Sequence, residues 1–341
     1  MLAPGRADPA RSTRCPPPPH SRSPPVSDTR PRDTASDADV VTSREKKRAG
    51  DVIFAGISRG AGFTILVALA GVGIFLTVQG IPAFGAEDYK GAGNLFSYTW
   101  PLVYGTVLAA AIALLLATPL SIAVALISSH YAPRRLAVPI GYIIDLLAAV
   151  PSVVYGLWGI GFLGPQLVPI YQWLNENAGF LPFFANPADP GGRTILTVGI
   201  VLAIMILPII SAIMRDIFAQ TPTLHQEAAL ALGATRWEMI RMTVFPYAKS
   251  GMVSATMLGL GRALGETMAV AMILSATGTV TINLIGSANP DTIAANIALD
   301  FPESSGVAVN VLIFSGLVLF ALTFVVNFAA RAIVERSGRS S

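Results

Sequence analysis

Six apolar segments govern what this chain can become: residues 57–80, 105–129, 137–163, 194–214, 249–276 and 307–330. Each reaches the length of about 20 residues that a helix needs to cross a hydrocarbon core. Only continuous helical hydrogen bonding satisfies the backbone at that depth. Over 341 residues the chain is 53% hydrophobic and 13% charged, with a mean hydropathy of +0.61. That balance excludes an ordinary soluble domain and predicts an all-α polytopic membrane protein with six transmembrane helices. The net charge of +3 does not point to nucleic acid. The basic residues gather at span ends, where they orient helices and meet the lipid bilayer. Cys15 is the sole cysteine, so no disulfide framework and no cysteine-based metal site is expected. No cofactor is implied.

The flanks of the segments set the orientation. Lys46, Lys47, Arg48 and Arg59 precede the first, and Arg134 and Arg135 separate the second and third. Arg215, Arg236, Arg241 and Lys249 surround the loop between the fourth and fifth, and Arg331, Arg336 and Arg339 follow the sixth. The opposite loops hold only Lys90 and Arg193, beside Glu87, Asp88, Glu176, Asp189, Asp291, Asp300 and Glu303. An excess of cations on the cytoplasmic side places both termini and loop 215–248 inside. Tyr171, Trp173 and the run Phe180–Phe184, in the outer loop 164–193, suit an aromatic segment at the outer interface.

Residues 1–50 differ from the rest. Pro16–Pro19 and the repeated Arg, Ser, Asp and Pro predict a disordered cytoplasmic tail. The stretch lacks the pattern of a signal peptide, and translation is expected to start near Val26. The membrane domain is assigned to 51–336, and 337–341 form a short C-terminal tail.

Within 215–248 lies a polar, helix-forming insert, Glu227 to Pro246. Pro222 stands near the start of a first short helix, with Thr223 and Gln226 read as a capping box. Gly233 supplies a left-handed turn that ends it. Thr235 with Glu238 forms a second capping box and opens the next helix. Such a knuckle between two membrane spans presents a rigid knob to a cytosolic partner.

Charges inside the apolar segments mark candidate sites. Arg262 and Glu266 fall near the middle of the fifth, four residues apart, a spacing that sets both on one helical face. An arginine at that depth costs about 2.5–3.5 kcal/mol on insertion scales, so it must face protein or water. Its planar fork of donors suits an oxyanion, with Glu266 holding it in place. Asp145, in the third segment, is a candidate partner for Arg262. Gly259, Gly261 and Gly265 leave room for close approach of a neighbouring helix. No phosphate-binding loop of the Gly-x-x-x-x-Gly-Lys-Ser/Thr type exists, and no catalytic constellation emerges from His20, His130 and His225.

The cytosolic insert resembles the coupling loop of ABC-importer permeases: Glu-Ala-Ala, three residues, Gly, nine residues, Ile, one residue, Leu-Pro. Glu227, Ala228, Ala229, Gly233 and Pro246 match, whereas Thr243 and Phe245 stand where the pattern has Ile and Leu. Segments 261–270 and 150–159 are similar to the C-type permease of the phosphate-specific ABC importers, a likeness extending over roughly residues 50–335. The resemblance implies a type I importer permease fold without enzymatic activity. It also implies an A-type permease partner, two copies of an ATP-binding subunit and an extracytoplasmic phosphate-binding protein. It places Arg262 and Glu266 on the phosphate path and makes Glu227–Ala229, Gly233 and Pro246 the contact with the ATPase. Importers of sulfate, molybdate and phosphonate share the same loop. A secondary transporter driven by an ion gradient is the competing class, and it calls for interrupted spans in matching halves. Only one interruption, at Ala149–Pro151, is evident in the sequence.

Overall fold

The computed structural model describes residues 49–85 and 93–338. It divides into two compact units, Met1–Arg59 and Gly60–Ser341. Of the first, only the start of helix α1 is described. Of the tail expected to be disordered over 1–50, residues 1–48 lie outside the described residues and 49–50 open α1; Lys46, Lys47, Arg48, Glu87, Asp88, Lys90 and Arg339 also lie outside.

All regular structure among the described residues is helical. In order, the long elements are α1 (Ala49–Gly80), α2 (Leu95–Leu126), α3 (Arg134–Ala148), α4 (Ser152–Trp158), α5 (Gly164–Ala178) and α6 (Ile195–Ala219). They are followed by α7 (Thr223–Ala231), α8 (Arg236–Met239), α9 (Phe245–Leu264), α10 (Met268–Ile273), α11 (Ile293–Asp300) and α12 (Val307–Gly338). Five stretches are long and apolar enough to cross a membrane: Ile53–Gly85, Leu95–Tyr131, Ser152–Ala178, Ile195–Ala219 and Val307–Ala332. The sixth crossing is the broken pair α9–α10.

The core of the larger unit is α2 against α6. On α2 the residues Ala109, Ala113, Ala117, Ser121 and Ala125 recur every fourth position and are buried. Such a stripe of small side chains lets backbones approach where no hydrophobic gain separates helix from lipid. Ser121 Oγ then donates to the Leu207 carbonyl of α6 at 3.2 Å. The facing surface of α6 is built from Ile195, Leu202, Ile206, Ile210 and Met214, all almost wholly buried. Thr194 caps α6, its hydroxyl accepting from the Thr197 N–H. Of the three glycines expected to admit a neighbour, Gly259 does so: a Cβ there would lie 2.5 Å from Ile210 Cδ1. Gly261 has nothing within 4 Å and Gly265 meets only its own chain.

Two expected spans are corrected. The third runs Ser152–Ala178 rather than 137–163. Pro151 biases Val150 away from the helical region, so α3 ends at Ala148 and a separate helix begins at Ser152. Tyr155 Oη donates to the Leu147 carbonyl at 3.0 Å, satisfying one of the acceptors left at the end of α3. Residues 164–178 are therefore helix rather than outer loop. Tyr171 is buried there, its hydroxyl 2.8 Å from Thr197 Oγ1, and it is not an interfacial anchor; Trp173 and Phe180 are exposed.

The fifth span breaks at Gly265–Thr267, so the interruption at Ala149–Pro151 is not isolated. The two outer halves pack on each other. A Cβ at Gly156 of α4 would lie 3.1 Å from the Ala269 Cα of α10. After α10 the chain runs without helix to Thr292, held by side-chain to backbone bonds. Asn289 Oδ1 accepts from the Ile195 N–H at 3.0 Å, and its Nδ2 donates to the carbonyls of Arg193 and Ser275. Irregular backbone at membrane depth is tolerated where protein buries it in this way.

Candidate functional site

Arg262 lies two residues before the end of α9, with Gly265 as the C-cap. Its side chain is exposed and lines a cavity of about 780 Å³ bounded by α9 and α12, with Ile209 of α6 also in its lining. Val253, Met257 and Leu258 make much of the wall apolar, while Ser254, Asn327 and Arg331 add polar groups. The Tyr155 phenol lies within electrostatic reach of Arg262.

Glu266 takes a different direction. The helix has ended by that point, so the expected shared face does not exist. Glu266 is 8% exposed, and its Oε1 accepts from the Ala269 N–H at 3.1 Å. It thereby satisfies one of the free donors at the start of α10. Among the described residues no ion pair joins it to Arg262.

Asp145 does not reach Arg262 either. It is exposed on α3, and its Oδ1 lies 4.0 Å from Arg215 Nη2 of α6. Gly141 makes this pairing feasible, because a Cβ at that position would lie 2.6 Å from Arg215 Nη1. The pair ties α3 to the inner end of α6, where the chain enters the knuckle.

In the knuckle itself, α7 and α8 meet at Gly233, whose φ of +87° is the left-handed conformation expected of it. The Thr235–Glu238 capping box is present. The Thr235 N–H donates to Glu238 Oε2 at 2.8 Å, and the Glu238 N–H donates to Thr235 Oγ1 at 3.3 Å. The Thr235 N–H, contributing most, and the Thr235 hydroxyl, which also donates to Oε2 at 2.8 Å, hold the Glu238 carboxyl below its ordinary value of 4.5. The first box is corrected: Pro222 occupies the N-cap of α7 and offers no side-chain acceptor. Gln226 Nε2 instead donates to the Thr221 carbonyl at 3.1 Å. Glu227, Ala228, Gly233 and Pro246 are exposed, while Ala229 is buried against the bundle. The tip is apolar as well as open, with Leu232 at 90% exposure beside exposed Leu224 and Trp237.

Sequence reasoning passed over Arg331, reading it only as a cation flanking the last span. Its distance from Arg262 in the chain left no local signal that the two share a cavity. Among the described residues no group of His, Cys, Asp or Glu is arranged to hold a metal.

The chain is thus a membrane bundle with one interrupted crossing, a cavity lined by two arginines and an exposed cytosolic knuckle. Residues 117–339 match the family of binding-protein-dependent transport system inner membrane components, and the chain belongs to that family. It is 46% identical over 312 residues to the phosphate transport system permease protein PstC 2 of Mycobacterium tuberculosis, covering 86% of this chain and 94% of that one. It is 40% identical over 267 residues to the phosphate transport system permease protein PstC of Xylella fastidiosa, covering 77% and 82% respectively. Among solved structures, an inward-facing MetNI methionine ABC transporter overlays with a TM-score of 0.44 at 18% identity, covering 70% of this chain and 93% of that one.

Proposed function

We propose that this chain is the C-type permease subunit of an ATP-driven importer that carries inorganic phosphate across the cytoplasmic membrane. The observation that carries the reading is Arg262, an arginine deep in a crossing whose helix stops beside it and whose side chain faces an open cavity. A guanidinium in that setting offers paired donors to a tetrahedral oxyanion. The phosphate permeases to which the chain is similar over most of its length supply the choice of anion.

In this reading an A-type permease supplies the other half of the path, and a phosphate-binding protein delivers the anion from outside. Two ATP-binding subunits sit below the permease pair, one of them docked on this knuckle, with exposed Glu227, Ala228 and Gly233 at the contact, Ala229 packed beneath them and Pro246 fixing the entry into α9. Closure of the ATPase pair pushes the knuckle, and the force enters the bundle through α6 and α9. Arg262 binds the anion while Glu266 holds the break that aims it. Asp145 acts one step away, through its link to Arg215.

Radiolabelled phosphate uptake in cells lacking this chain, with and without its return, tests the substrate. Restoration of sulfate or molybdate uptake instead would transfer the reading to another oxyanion. Co-purification with an ATPase separates it from an ion-coupled transporter.

A further inference from the structure

The cavity that holds Arg262 has a second cation. On α9, Ser254, Leu258 and Arg262 recur at four-residue spacing along one face, and all line the cavity. On α12, Asn327 and Arg331 are likewise four apart and line the opposite wall. The two helices run in opposite directions across the membrane, since α9 leaves the cytosolic knuckle and α12 ends the last crossing. Arg262 lies 17 residues into α9, roughly 25 Å along it at 1.5 Å per residue. Arg331 stands one residue before the end of its crossing, Val307–Ala332. The groove therefore carries one guanidinium deep and one at the cytosolic rim.

Among the described residues neither arginine has a carboxylate partner. A deep guanidinium with no carboxylate partner among the described residues, as at Arg262, is costly to keep against lipid and is accommodated where water or an anion reaches it; Arg331, at the rim, stands where such an anion would leave. Gly261, with no atom within 4 Å of where a Cβ would stand, keeps the wall open beside Arg262.

We propose that Arg331 is a second anion-binding residue, receiving the transported phosphate from Arg262 at the cytosolic end of the groove, with Asn327 and Ser254 lining the way between. An anion moving inward exchanges one fork of donors for another without being stranded in an apolar stretch. The proposal rests on the phosphate-permease reading. A lipid phosphate has the same recognition chemistry, and the test distinguishes the two.

The complete importer, reconstituted with its partner permease, ATP-binding subunits and binding protein, is assayed for radiolabelled phosphate uptake. Vesicles of phosphatidylcholine alone are compared with vesicles containing phosphatidylglycerol. Arg331→Gln is expected to lower the initial rate about tenfold or more in both, the effect of losing a charge-assisted hydrogen bond. Arg339→Gln, which removes a cation eight residues further along the sequence, is expected to leave the rate unchanged. Asn327→Asp is the second variant. A carboxylate four residues before Arg331 supports the helix but competes with the anion, so uptake falls while the thermal midpoint holds or rises. Wild-type uptake in Arg331→Gln overturns the proposal, as does a defect confined to phosphatidylglycerol vesicles, which would make the ligand a lipid headgroup. Should Arg331→Gln fail to insert, normal uptake in Asn327→Asp overturns it. An unmutated complex that carries no phosphate defeats the functional reading instead.

Discussion

Arg262 and Glu266 are four residues apart and serve different neighbours: the guanidinium lines an open cavity, while the carboxylate turns inward to the Ala269 N–H. The helix between them ends at Leu264, so they stand on either side of a break. Glutamine can accept the same bond, whereas alanine leaves the donor unmet. Glu266→Gln is therefore expected to keep most phosphate uptake. Glu266→Ala is expected to lose about 0.5–2 kcal/mol of local stability, as at other helix caps, along with much of the transport. Uptake assays beside thermal unfolding of the purified importer would distinguish the two. Equal loss in both variants would move Glu266 into direct contact with the anion.

Arg262→Gln is expected to abolish uptake with the protein still in the membrane. Arg262→Lys is expected to recover only part of the rate, since an ammonium lacks the paired planar donors of arginine. Uptake and membrane fractionation check both, and wild-type transport in Arg262→Gln would remove this residue from the path.

At the knuckle, Gly233 holds φ at +87°, a conformation that proline, fixed near −65°, does not adopt. Gly233→Pro is expected to misplace α8 and uncouple ATP hydrolysis from transport. Glu227→Lys reverses the charge of an exposed contact and is expected to act in the same direction. ATPase activity measured together with uptake in the reconstituted importer tests both.

The Thr235–Glu238 box has a pH signature. Its hydrogen bonds depress the Glu238 carboxyl in the folded loop, so their contribution is fully present above the ordinary glutamate value of 4.5. It is lost as pH falls through the lower folded value. Hydrogen exchange at the amides of 235–239 is expected to quicken over that acid range, and Glu238→Gln to remove the dependence. An unchanged profile in the variant would refute the assignment.

Where α9 crosses α6, Gly259 leaves no room for a side chain against Ile210. Gly259→Val is expected to destabilise the bundle by about 1–3 kcal/mol through overpacking. Gly261→Val, facing open space, is expected to cost far less. Thermal unfolding of the two variants in detergent gives the comparison.

Local chemistry was the most legible part of this chain. Gly233 and the Thr235–Glu238 pair announce their turn and cap within a few residues, and the positions and orientation of most crossings follow from apolar length and flanking cations. Thr223 misled because Pro222 takes the capping position before it. Hydropathy averages over a window, and so passes through Pro151 and Gly265 although the backbone stops at both. Relations between distant helices left no trace: Asp145 with Arg215, Tyr171 with Thr197, Arg331 in one cavity with Arg262. The Ser, Thr, Gly, Asn and Pro content of 275–290 was the available sign of the irregular outer segment.

The stripe of alanines on α2 carries a consequence for assembly. With α3 and α9 it helps bury 67% of the most apolar stretch of α6 inside this chain alone, whereas no residue in the corresponding stretch of the first crossing is fully buried. A subunit with such a centre can attain its fold in the bilayer before meeting any companion. Its first helix, which meets α12 at Gly73 and Gly80, leaves most of its surface to lipid or to a companion.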